Sequence, residues 1–160
     1  MTAVAARPAG RGTREVRSVA MHDPLVRPLL DELSHEYWTR YQRVLSAEEL
    51  RAEMEHYPAQ DFAAPHGELV LVLEDGEPVA GGAFRRRAEP ELGDPARLTR
   101  PAARRADGTP AVRTAELKRI WTHSAHRRRG LARLVLAELE RRAVGRGARR
   151  VGVTAGPRPP

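Results

Sequence analysis

The stretch from Arg113 to Thr154 constrains the fold more than any other part of the sequence. It reads as a strand (Arg113 to Thr122), a short basic loop, an amphipathic helix (Leu131 to Val144) and a last strand (Arg149 to Thr154). Leu131, Leu134, Val135, Leu139 and Ala143 recur at helical spacing, so the helix has one apolar stripe to bury against a sheet. A strand, a covering helix and a following strand make a parallel crossover, expected to be right-handed.

The rest of the chain supplies the partners for that unit. Arg14 to Ala20 alternates charged and small apolar residues as a short, half-exposed strand. Asp23 can cap a helix whose first position suits Pro24, and Pro28 delays regular hydrogen bonding by a turn. Val26, Leu29, Leu30, Leu33, Tyr37 and Tyr41 give this helix one apolar face. Ser46 and Glu49 form a capping box for a second helix carrying Leu50, Met54 and Tyr57, which Pro58 stops. Leu69 to Leu73, the Asp75-Gly76 turn and Val79 to Phe84 make a hairpin. From Ala88 to Val112 four prolines and two glycines interrupt any periodicity, so this loop is either a functional flap or disordered. The order β, α, α, β, β, loop, β, α, β predicts an α/β (α+β) domain with a mixed sheet over 13–160. Residues 1–12 are expected to be a disordered leader, with a transit peptide as the alternative.

Composition removes several function classes. At 160 residues and 17.8 kDa the chain holds one ordinary domain. It contains no cysteine, which excludes disulfides, thiolate metal sites and a cysteine nucleophile. No run of eighteen apolar residues is present to span a bilayer, and a cytoplasmic location is expected. The net charge of +7 invites nucleic acid, but Lys118 is the sole lysine and aromatics make up 4%. Arginine usage of this kind follows from a GC-rich genome, and a stacking platform would need more aromatics, so nucleic-acid binding ranks third among the functions considered.

The chemistry concentrates in Glu116-Leu-Lys-Arg-Ile-Trp-Thr-His-Ser-Ala-His-Arg-Arg-Arg-Gly-Leu-Ala132. Where a loop opens into a helix, unpaired backbone N–H groups and the positive end of the dipole meet, a place suited to an anion such as pyrophosphate. Gly130 would let the backbone approach closely; the bland alternative is a solvated turn.

Arg127-x-x-Gly130-x-Ala132, between this strand and this helix and followed by Val-Thr-Ala-Gly-Pro-Arg158, resembles the acetyl-coenzyme A loop of the GCN5-related N-acetyltransferase (GNAT) family. The resemblance implies a GNAT-like acyl-CoA N-acyltransferase fold and acetyl transfer from acetyl-coenzyme A to a small-molecule or peptide amine in a ternary complex. It implies that Arg127, Arg128, Arg129, Gly130, Leu131 and Ala132 cradle the pyrophosphate. It also implies that the pantetheine arm pairs with the backbone of Ile120, Trp121 and Thr122, where an N–H polarises the thioester carbonyl.

An acceptor amine with a pKa of about 10.4 is almost wholly protonated at neutral pH, so a base is needed. Glu116 resembles the family's strand glutamate, and the even spacing puts it on one pleat face with Ile120 if no bulge intervenes. The alternative for Glu116 is a surface ion pair with Lys118 or an arginine. His123 and His126 read as turn residues rather than catalysts, and with no further ligands near them no metal is expected. Tyr37, Trp38 and Tyr41 either pack the core or line an acceptor pocket.

Two departures from the family pattern stand out. Members continue past the Gly-Pro-Arg turn with a helix and two more strands, and that helix often supplies a tyrosine acid. This chain is therefore expected to be truncated after its fifth strand, with no assignable general acid. Its last strand would be an exposed edge, covered by a homodimer partner. The Pro/Arg segment at about 88–112 is expected to be an insertion. A non-catalytic coenzyme A-binding remnant acting through protein association is the main alternative to an enzyme.

Overall fold

Seven of the eight residues of β2 (Gly67–Glu74) are buried, because the run Leu69-Val-Leu-Val-Leu73 is covered on both faces of the sheet. The computed structural model describes residues 12–41, 46, 48–49, 59–88, 104, 107–110 and 112–153. Among them β1 (Arg14–Ser18), β2, β3 (Glu77–Ala88), β4 (Arg113–Thr122) and β5 (Arg150–Val153) form one sheet in that spatial order. Asp75 and Gly76, both at positive φ (51° and 83°), close the β2–β3 hairpin. The first three pairings are antiparallel and β4–β5 is parallel, so the sheet is mixed.

Among the described elements, one long helix lies on each face. Asp23 accepts the Leu25 N–H at 2.9 Å and caps a 3-10 turn, Pro24–Val26, which leads into α1 (Arg27–Tyr41), with Pro28 in the first turn, where its missing N–H is tolerated. Val26, Leu29 and Leu33 pack with Phe62, Leu69, Leu71, Leu73, Ala83 and Trp121 on one face. On the other, α2 (Leu131–Gly145) buries Leu131, Val135, Leu139 and Ala143 against Val70, Val72, Phe84, Ala115 and Leu117. Arg142 and Arg146 at the end of α2 both reach the buried Glu68 of β2.

The Ser46–Glu49 capping box forms, with the Ser46 N–H donating to Glu49 Oε2 at 2.6 Å and the Glu49 N–H to Ser46 Oγ at 3.2 Å. Leu50, Met54 and Tyr57 lie outside the described residues, as do residues 1–11 and most of the 88–112 segment. Within that segment Arg104 bridges Pro110 around a turn at Gly108.

Candidate functional site

The decisive local feature is a bulge in β4. Lys118 pairs with Ala83 and Trp121 with Gly81, so three steps along β4 match two along β3. Arg119 takes up the extra residue in the left-handed region at φ 57°. Beyond it the side chains change faces. Ile120 packs on the α2 side over Gly82, where an added Cβ would stand 2.8 Å from Ile120 Cδ1. Trp121 turns instead into the α1-side core, its indole N–H donating to Glu32 Oε1 at 3.0 Å. The shared face expected for Glu116 and Ile120 is thus corrected: Glu116 and Trp121 look toward α1, Ile120 toward α2.

Glu116 is not at the surface; it is 2% exposed. Its direct partner across the ladder is Arg85, whose Nε donates to Oε2 at 2.9 Å, while Lys118 Nζ stands 3.2 Å from Oε1. Arg85 reaches on to Asp61 at 3.2 Å. Lys118, Arg119 and Ile120 line a cleft of about 200 Å³ whose other wall is Leu33, Glu36, Tyr37 and Arg40 of α1. Glu116 does not line it; Lys118 stands between them. Of the aromatics in α1 whose side chains are described, Tyr37 faces this cleft and Trp38 is 43% exposed, so neither fills the core, while the side chain of Tyr41 lies outside the described residues.

Beside the cleft, β4 loses its parallel neighbour. The β4–β5 register runs from Thr114 opposite Arg150 to Leu117 opposite Val153, and no described strand flanks 118–122 on that side. Among the described residues, Ile120, Trp121 and Thr122 therefore have no strand partner on that side, where an extended chain could pair.

The loop that follows is built by short-range bonds. His123 Nδ1 accepts the Ala125 N–H at 3.0 Å, and Glu32 accepts the Ser124 N–H at 2.9 Å. Burial raises the Glu32 carboxyl, but the bonds from Ser124 and Trp121 outweigh it and hold the group below the usual carboxylate range. The rings of His123 and His126 meet edge to face at 5.4 Å, and among the described residues no group of three His, Asp or Glu is placed to hold a metal.

Arg128 and Gly130 both adopt positive φ, 62° and 75°. Gly130 occupies the N-cap of α2 without a side chain to cap it, and nothing lies within 4 Å of where its Cβ would be. The helix ladder starts with the Leu134 N–H on the Gly130 carbonyl at 3.2 Å. Among the described residues, no acceptor meets the N–H groups of Leu131, Ala132 and Arg133. Of the guanidinium groups, Arg127 pairs with Glu36 at 2.7 Å and Arg129 holds Glu74 in a two-pronged grip at 2.7 and 2.8 Å. Arg129, and beside it Arg14, depress the Glu74 carboxyl to about 2. Arg128 makes no ion pair with a described residue.

The carboxylates Glu32, Glu36, Glu74 and Asp61 carried no signal in the sequence, since each meets its partner across 24 to 92 residues. Nothing in the run around Arg119 marks a bulge either, because the left-handed position carries an arginine rather than glycine or asparagine.

The sequence profile of the Acetyltransferase (GNAT) family matches residues 30–158. Among solved structures, a protein from Clostridium acetobutylicum described as an acetyltransferase, determined with acetyl-CoA, superposes with a TM-score of 0.60 at 16% identity, over 91% of this chain and 82% of that one. A ribosomal-protein-alanine N-acetyltransferase from Brucella melitensis gives 0.52 at 18% identity, over 92% and 83%. An aminoglycoside N-acetyltransferase in complex with CoA gives 0.50 at 15% identity, over 95% and 82%. These likenesses are of fold. No curated protein matches the sequence.

Proposed function

The chain belongs to the acetyltransferase (GNAT) family, and from that premise we propose that it is an N-acetyltransferase that moves an acetyl group from acetyl-coenzyme A to an amine by direct attack in a ternary complex. The carrying observation is the start of α2, where three N–H groups without an acceptor among the described residues follow a glycine that leaves space before them. The residues present fit two polar parts of the cofactor, its pyrophosphate and the amides of its pantetheine arm. Gly130, Leu131 and Ala132 would take the pyrophosphate by backbone, with Arg127, Arg128 and Arg129 as added charge. Ile120, Trp121 and Thr122, which have no described strand partner on one side, would pair with the amide-bearing arm. Acetyl-coenzyme A supplies the activated thioester; a β4 N–H in this segment would polarise its carbonyl.

Glu116 is the proposed base. Its burial behind Lys118 means that a proton reaches it through water or along the Lys118 ammonium rather than by direct contact with the amine. The same burial favours a second reading, a coenzyme A-binding protein without turnover in which Glu116 only anchors Arg85 and Lys118. A homodimer covering β5 is proposed on the position of that strand at the sheet edge and the 69% exposure of Val153, to be read by sedimentation.

Calorimetric titration with acetyl-coenzyme A, followed by thiol release in the presence of an amine panel, separates the two readings. Binding with turnover is expected. Binding without turnover of any amine would establish the second reading, and no heat from folded protein would reject both.

A further inference from the structure

The end of β4 is held by a residue far away in the chain. Glu32 of α1 receives two N–H groups on one oxygen, Oε1: the indole N–H of Trp121 at 3.0 Å and the backbone N–H of Ser124 at 2.9 Å. The first donor belongs to the strand and the second opens the loop toward α2, so a single carboxylate joins the two segments. That carboxylate is a fixed point, because Leu29 and Leu33 beside it bury α1 in the same core cluster as Trp121. Trp121 has little else to orient it. Its ladder partner is Gly81, which presents no side chain across the pair, and the bulge at Arg119 interrupts the ladder just before it. One turn further along α1, Glu36 holds Arg127 of the loop at 2.7 Å. Both side chains of that second pair are exposed, by 43% and 56%, so the bonds to Glu32 carry more of the attachment.

We propose that Glu32 is a positioning residue for the cofactor: by accepting the Trp121 and Ser124 N–H groups it fixes the segment Ile120, Trp121 and Thr122, and with it the N–H that would polarise the thioester carbonyl. This rests on the acetyl-transfer reading above. Glu32 acts through Trp121 and Ser124, and a carboxylate acceptor makes both bonds charge-assisted. A misplacement of the strand end would cost affinity for the arm and rate at the thioester together.

The test measures acetyl-coenzyme A affinity by calorimetry, and kcat at saturating acetyl-coenzyme A and amine, in the native protein, Glu32→Ala and Glu32→Gln. Thermal melting gives the folded fraction to which each value is referred. Alanine removes the acceptor, whereas glutamine keeps an oxygen able to receive both N–H groups. Glu32→Ala is expected to weaken binding and to lower kcat by about tenfold or more each, and Glu32→Gln to restore both to within about threefold of native. Should Glu32→Ala not melt cooperatively, Glu32→Asp replaces it, since the shorter side chain keeps the charge but withdraws the oxygen from both donors; the same losses are expected. A folded alanine or aspartate variant with native affinity and kcat would overturn the inference, because a residue that only braces the fold shifts the melting temperature without changing the folded protein's binding. Glutamine no better than alanine or, where aspartate replaces it, than aspartate would overturn it as well. If the native protein binds acetyl-coenzyme A but turns over no amine, the affinities alone decide in the same way. A native protein that does not bind acetyl-coenzyme A would remove the cofactor reading and this inference with it.

Discussion

Gly130 holds a backbone conformation that an L-residue adopts at a cost of roughly 1–2 kcal/mol. Because no atom crowds the position of its missing Cβ, Gly130→Ala tests conformation rather than a clash. Urea denaturation is expected to show a loss of about 1 kcal/mol, and calorimetry at least tenfold weaker acetyl-coenzyme A binding; unchanged affinity would separate the turn from the cofactor. For Glu116, Gln preserves shape but removes the charge that faces the buried Arg85 and the half-buried Lys118. A stability loss of about 3 kcal/mol is expected, together with a hundredfold or greater fall in kcat at saturating substrate. A fall in stability without a fall in kcat would reduce Glu116 to an anchor. Gly130 was legible in the sequence because a glycine set between a basic loop and an apolar helical stripe marks the start of the helix. The burial of Glu116 was not, because Arg85 and Asp61 come from a strand and a turn that only the folded sheet brings beside it.

At the scale of elements, β4 shows where strand periodicity fails. Alternation placed the strand from Arg113 to Thr122 correctly, yet it put Ile120 on the wrong face, because one inserted residue inverts everything after it. Deleting Arg119 would restore the simple alternation and drive Trp121 out of the α1-side core. The expected result is loss of the near-ultraviolet circular dichroism of Trp121 and of cooperative melting; a deletion variant that melts like the parent would contradict the described register. The helices were legible from caps and stripes: Asp23, Ser46 with Glu49, and the four buried positions of α2 all do what their spacing predicts. Glu74 links β1, the end of β2 and the loop before α2. Its folded carboxyl lies below the ordinary 4.5, so its contribution to stability is complete above that value and is lost as pH falls from there through about 2. A carboxyl-carbon NMR titration should give that midpoint, and Arg129→Ala should move it upward. High salt should weaken the contribution, since the pair is solvent-exposed.

For the molecule as a whole, the +7 charge looks in the sequence like an invitation to nucleic acid. Among the described residues, Arg14, Arg17, Arg85, Arg127, Arg129, Arg141, Arg142 and Arg146 each pair with a carboxylate, so these guanidinium groups are engaged within the fold. Mixed-sequence DNA is therefore expected to give no steep salt-dependent binding. What the described sheet does provide is a route: an end of β4 with no described neighbour on one side, a loop with two left-handed residues, and a helix start whose first N–H groups meet no acceptor among the described residues. The order of elements that makes this route could be read from caps, turns and stripes, whereas the cleft between α1 and β4 depends on the bulge and on α1 lying across it. The central claim, that the backbone after Gly130 holds the diphosphate, is tested most directly by following amide resonances while coenzyme A is added. The N–H signals of Leu131, Ala132 and Arg133 should move together and saturate at one stoichiometric equivalent, with pantetheine alone leaving them in place. Saturable binding that leaves those three amides unmoved would contradict the account.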